Sequence, residues 1–217
     1  MCFSAGASFT AGVLLTFVGT ETLRKIRRPA QIAFAGIPVF FAFQQFMEGI
    51  LWLTIGNPAH HALETVSTHV FLIMAQSVWP ILIPLSVLLI EKNKTRKRIL
   101  YGLLAAGIGV GLYYFYRLLL NGIHAKIVGM HIVYEDTAFS YLGAVTISVY
   151  LAATIAPLFV SSTKRVYILG IIMGLSFIAS AIFYLKCLTS VWCFFAAVIS
   201  FVIFYIFRDA HLRKISF

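Results

Sequence analysis

The sequence predicts one all-α domain over residues 1–217: a polytopic bundle of seven transmembrane helices, with the N-terminus outside and the C-terminus cytoplasmic. Three observations carry that reading. The 217-residue chain is 61% hydrophobic and 11% charged, with a mean hydropathy of +0.95, which is too apolar for a soluble domain. Apolar runs long enough to cross a hydrocarbon core recur seven times, separated by short connections. The basic residues then gather on one side of the membrane only if the number of spans is odd.

The runs fall at roughly 3–20, 31–55, 66–90, 99–120, 138–160, 165–185 and 189–207, each about 30 Å long at 1.5 Å per residue. The first begins almost at Met1, without a basic n-region, and ends in basic residues, so it is expected to stay as a helix. Arg28-Pro29 opens the second span and Asn57-Pro58 closes it. Asn121-Gly122 follows the fourth, and Ser161-Ser162 separates the fifth from the sixth. Pro80, Pro84 and Pro157 lie within spans and predict kinks, because each lacks a backbone donor. Gly102, Gly107, Gly109 and Gly111 in span four predict close helix contact.

Charge sets the orientation. Arg24, Lys25, Arg27 and Arg28 follow span one, and Lys92, Lys94, Arg96, Lys97 and Arg98 follow span three. Lys164 and Arg165 follow span five, and Arg208, Arg213 and Lys214 follow span seven. Fourteen of the 17 basic residues thus share one side, which the positive-inside rule makes the cytoplasm. The net charge of +10 is therefore a topology signal, and nucleic acid is not an expected partner. Membrane lipids are.

Most residues able to do chemistry fall on the other side. His60, His61, His69, His124 and His131, the acids Glu48, Glu64, Glu135 and Asp136, and all three cysteines, Cys2, Cys187 and Cys193, are expected in outer loops or outer helix ends. Glu48 stands out. It lies about 10 Å below the outer end of span two, in an apolar run where an ionisable group costs several kcal/mol unless paired or wetted. Gln44, Glu48 and Trp52 follow at four-residue spacing and share one helix face. Tyr113, Arg117 and Trp192 reach the same layer, so Gln44, Trp52, Tyr113, Arg117 and Trp192 form the expected pocket lining.

Cys2, Glu48, His131, His69 and Cys193 are the expected ligands of one transition metal, zinc or copper, since thiolate, imidazole and carboxylate suit those ions. No HExxH, CxxC or HxxxH spacing adds to that set. Removal of the initiator Met would leave an amine and a thiol on Cys2, a chelate or a nucleophile. A disulfide between two of the cysteines is the competing use of the thiols on an oxidising side. Met130 to Asp136 lies in the longest outer loop, the usual place for a lid, although the aromatic of Tyr134 suits a membrane interface equally well.

Met1-Cys2-Phe3-Ser4-Ala5, Gln44-Gln45 with Glu48-Gly49 and Trp52, Trp79-Pro80, His131-Ile132 with Tyr134, and Val191-Trp192-Cys193-Phe194-Phe195-Ala196-Ala197 carry a resemblance over nearly the whole chain. They resemble an uncharacterised family of small bacterial seven-span membrane proteins beginning Met-Cys-Phe-Ser. The resemblance implies the fold and strengthens Cys2, Glu48, His131 and Cys193 as site residues, without supplying a reaction. Seven-span metal hydrolases that include alkaline ceramidases are similar in architecture only, because their last span carries a histidine pair and this one has no histidine.

The functional expectation is an outward-facing polar site in a membrane enzyme, a metal-dependent hydrolase or transferase or a thiol enzyme, acting on a lipid or another amphiphile. Glu48 and Cys2 are its expected catalytic groups. The alternative is a seven-helix sensor or carrier that binds a small molecule or metal ion in the same pocket.

Overall fold

The computed structural model describes residues 4–120, 122–136, 143–163, 165–183 and 188–212, without the side chains of 135, 136, 194, 196, 198 and 210–212. Cys2, Cys187, Lys164, Lys186, Arg213 and Lys214 lie outside the described residues.

Helix α1 covers Ala5–Leu23, and its first turn is capped by Ser4, whose hydroxyl oxygen accepts from the Ala7 N–H at 3.2 Å. A short α2, Ile32–Ala35, leads through Gly36 into α3, Ile37–Thr54. Then come α4, His61–Leu72, a π-helical turn, Ile73–Val78, and α5, Trp79–Ile90, as one continuous rod. Helix α6, Lys94–Leu120, starts on Asn93, whose side-chain oxygen accepts from the Thr95 and Arg96 N–H groups. After a β-hairpin come α7, Gly143–Val160, α8, Val166–Phe183, and α9, Leu188–Leu212.

Among the described residues, five stretches are long and apolar enough to cross a membrane: Pro29–Thr54, Pro58–Ile90, Lys94–Leu120, Gly143–Val160 and Val166–Phe183. The distribution of polarity agrees with a lipid surrounding. Phe17, Leu53, Leu119, Ile182 and Phe183 are exposed, whereas Gln44, Gln45, Glu48, Ser8, Ser86 and Ser190 are fully buried. This reverses the arrangement a soluble protein needs.

The helices close a ring. Helix α1 packs on α3, α5 on α6 and α7, α7 on α8, and α8 on α9, while α9 also meets α1 and α3. Two glycines make the α5–α6 seam. A side chain on Gly107 would overlap the carbonyl of Pro80, and one on Gly111 would stand 2.8 Å from that of Ser77, whereas Gly102 and Gly109 face open space. The Pro80 carbonyl lacks its ordinary helical donor, since the residue four positions on, Pro84, brings no N–H. Of the three expected kinks, the one at Pro80 is preceded by the π turn, in which the Trp79 N–H reaches back five residues to Met74. Pro84 and Pro157 are accommodated within α5 and α7.

The all-α expectation needs one correction. Strands β1, Ile123–Val128, and β2, His131–Asp136, form an antiparallel hairpin in the loop before α7, with Val128 paired to His131 and Gly129 at φ 62° in the turn. Alternation along β2 is therefore strand periodicity. Ile132 and Tyr134 share the face that also carries Ala125, which is buried against Leu51, Phe71, Leu72 and Leu118. The Tyr134 ring stacks on Phe71 at 5.1 Å.

At the opposite end, loops are tied by charge. Glu91 accepts from the Ser162 N–H and hydroxyl at 2.6 and 2.7 Å, Arg96 donates to the carbonyls of Val160 and Ser161, and Arg165 pairs with Asp209. Burial pushes the Glu91 carboxyl up. The N–H groups of Asn93, Ser162 and Lys92 and the Ser162 hydroxyl outweigh it and hold the group below the ordinary carboxylate range.

Candidate functional site

The polar interior is built on α3. An apolar helix with three consecutive polar positions on its inner side, Gln44, Gln45 and Glu48, must turn them toward partners, because lipid offers none. All three are fully buried. The Gln44 side-chain oxygen accepts the Trp79 indole N–H at 2.9 Å, and its amide nitrogen donates to the Cys193 sulfur at 3.2 Å. Gln45 donates to one oxygen of Glu48 at 3.3 Å, and the Ser190 hydroxyl donates to the other at 2.5 Å. Ser190 and Cys193 lie one turn apart on α9, as do Gln44 and Glu48 on α3, so two facing turns interlock through four side chains.

Below this network lies an apolar cavity of about 50 Å³. Trp79 and Phe41, stacked at 3.9 Å, line it near the network together with Tyr150, Trp192 and Cys193. From there it runs past Thr154, Leu158, Leu169 and Met173 toward Ile203, some 16 Å along α9 from Trp192 at helical rise. The Tyr150 hydroxyl donates to the Ala75 carbonyl within the π turn at 2.5 Å.

The expected site residues divide. Glu48, Gln44, Cys193 and Trp192 do come together. Trp52 is half-buried and packs on the cluster beneath the hairpin, its indole N–H without a partner among the described residues. Tyr113 and Arg117 form a pair of their own, the guanidinium 5.9 Å from the ring centre. They reach the cavity only through a chain of ring contacts, Tyr113 to Tyr114, Tyr114 to Tyr150 and Tyr150 to Trp192, at 5.6, 6.2 and 5.8 Å.

Among the described residues no group of three or more His, Cys, Asp and Glu side chains could hold an ion. Nδ1 of His69 donates to the Thr65 carbonyl of its own helix at 2.8 Å. His131 occupies the hairpin face opposite Ile132, the residue whose cluster includes Cys193. Cys2 lies outside the described residues, and Cys193 is a free, buried thiol.

Sequence reasoning missed Ser190, Trp79 and Tyr150. Ser190 and Cys193 at i, i+3 on an otherwise apolar helix were the available signal. Trp79 reads as the bulky neighbour of a proline, and its bond to Gln44 depends on a helix pairing that no local pattern announces.

No curated protein and no solved structure matches the chain. A family profile described as a family of unknown function, DUF6629, matches residues 1–215. The protein belongs to that family.

Proposed function

We propose that this chain is a seven-span protein of a bacterial cytoplasmic membrane, N-terminus outside, and that it works as a receptor or carrier for an amphiphile held in the cavity beneath Gln44, Glu48 and Cys193. The observation that carries the reading is the cavity itself: apolar and aromatic along its length, and meeting the polar network at Trp79 and Cys193. Helices α1 and α9 add the two spans beyond the five candidates, and the basic loops supply the orientation.

Binding is preferred to nucleophilic chemistry at Cys193 for a physical reason. A cysteine nucleophile needs a base or a cation beside it. Cys193 instead receives an amide N–H from Gln44 and packs with Leu51, Phe71 and Leu118. Glu48 is engaged by Gln45 and Ser190 and ties α3 to α9 above the cavity.

The test is to fill the cavity. Leu169→Phe and Leu158→Phe place extra bulk where free volume exists, so the protein should fold as before while amphiphiles that co-purify with the wild type, read by native mass spectrometry, are lost. Unchanged amphiphile occupancy in both variants would overturn the proposal.

A further inference from the structure

Lys94, Lys97 and Arg98 stand on the first turn and a half of α6 and make no hydrogen bond or ion pair among the described residues. Lys94 and Arg98 are exposed and Lys97 is half-buried. The acids described at that end of the bundle are already engaged. Glu21 pairs with Arg24 and Lys25, Glu91 accepts from Ser162 and from the N–H groups of Lys92 and Asn93, and Asp209 pairs with Arg165. The helix end itself is occupied by the Asn93 side-chain oxygen, which takes the Thr95 and Arg96 N–H groups, and Arg96 turns to the carbonyls of Val160 and Ser161. Three cations at three- and four-residue spacing therefore stand together without a counter-charge among the described residues.

Length sets their depth. Helix α6 has 27 residues, about 40 Å at helical rise against a hydrocarbon core of about 30 Å. Its far end carries Leu119 and Leu120, both exposed, so the surplus of about 10 Å falls at the charged end. That puts the three cations in the headgroup layer. Lys94, Tyr101, Ile108 and Phe115 recur every seven residues and all are exposed, so one open face runs from the cations down into the hydrocarbon. Tyr101 stands where aromatic side chains concentrate, at the boundary of the two layers.

Using the membrane placement proposed above but not the cavity, we infer that Lys94, Lys97 and Arg98 bind the phosphodiester headgroup of an anionic phospholipid, whose acyl chains lie along Tyr101, Ile108 and Phe115. Phosphate oxygens accept several charge-assisted hydrogen bonds at once, and a basic cluster at the end of a span attracts anionic lipid. A zwitterionic headgroup brings an ammonium of its own to three cations and is disfavoured by that repulsion.

Full-length protein, delipidated in an alkyl glycoside detergent, is titrated with phosphatidylglycerol or phosphatidylcholine of identical acyl chains, and bound lipid is read by native mass spectrometry. Phosphatidylglycerol should occupy its first site at about tenfold lower concentration than phosphatidylcholine. The combined variant Lys94→Gln, Lys97→Gln and Arg98→Gln should bring it to the level of phosphatidylcholine without moving the latter. The charge-keeping set Lys94→Arg, Lys97→Arg and Arg98→Lys should retain the advantage, and so should Leu169→Phe, which acts in the cavity.

Equal binding of the two lipids by the wild type, or an advantage that survives loss of the three charges, would overturn the inference. Glycerol phosphate that displaces the lipid at equal concentration, or an oligonucleotide that binds more tightly than the lipid, would overturn the assignment to phospholipid. Loss of the advantage in Leu169→Phe would overturn the site on α6 and leave the cavity reading in place.

Discussion

Ser190 on α9 donates its hydroxyl proton to Glu48 on α3 across 142 positions of sequence, and so joins the last helix to the helix that carries the buried carboxyl. Removing the donor strands a carboxylate oxygen, at about 1–3 kcal/mol. Ser190→Ala should lower thermal stability in detergent by that amount, and Glu48→Leu by more. In the double variant Ser190→Ala should add little to Glu48→Leu, because the shared bond is already gone. Additive losses would show that the pair does not act as a unit.

Gly107 and Gly109 differ by two positions and should differ sharply in tolerance. Alanine at 107 meets the Pro80 carbonyl, while alanine at 109 meets nothing. Gly107→Ala is expected to cost about 1–3 kcal/mol, as overpacking does, with Gly109→Ala neutral. Unfolding curves of the two variants side by side decide it.

Glu91 makes stability depend on acid. Its folded-state pKa is lowered, so its contribution is complete above the unfolded carboxylate pKa of about 4 and is lost as pH falls through the lower folded value. Glu91→Gln should be less stable than wild type at neutral pH, and the gap should close as pH falls below about 4. A gap that stays constant with pH would assign the stability to something other than the ionised group.

The hairpin should shield Cys193. Ile132 and Cys193 belong to one buried cluster, and Tyr134 stacks on Phe71 above it. With Cys2 and Cys187 replaced by serine, Cys193 should react slowly with a maleimide, and Tyr134→Ala should raise the rate by about fivefold through loss of a ring contact worth roughly 1 kcal/mol. Equal rates in the two proteins would remove the hairpin as the barrier.

Topology has its own check. A reporter active only in the cytoplasm, fused at Phe217, should give signal, and one active only outside should be silent. The reverse pattern would overturn the orientation and the outward placement of the site with it.

Glu48 was legible because a carboxyl in an apolar run has few reasons to be there. Its partners were not. Serine and threonine in helices usually turn back to their own backbone, as Thr16, Thr54 and Ser86 do here, so nothing in Ser190 itself distinguishes a hydroxyl that crosses to another helix. His69 was assigned by its expected depth alone, and depth says nothing of rotation: its ring turns to its own helix. The hairpin was hidden because six residues of alternation between apolar spans read equally as an interfacial segment. Of the four glycines in span four, the pair at 107 and 111 carries the contact, spaced to share one face.

The π turn at Ile73–Val78 gives the third rod an uncounted residue. Eight positions separate Phe71 from Trp79, which in an unbroken α-helix would rotate one about 80° away from the other. The five-residue reach from Trp79 to Met74 absorbs one of them, and both rings end up buried, Phe71 under the hairpin and Trp79 on Gln44. Upstream and downstream halves of this rod thus run in different phases of the helical repeat. Loss of a single residue within 73–78 would convert the turn to regular α-helix with both flanks still in register, whereas loss of one residue from α6 would swing every later side chain of that helix by about 100°.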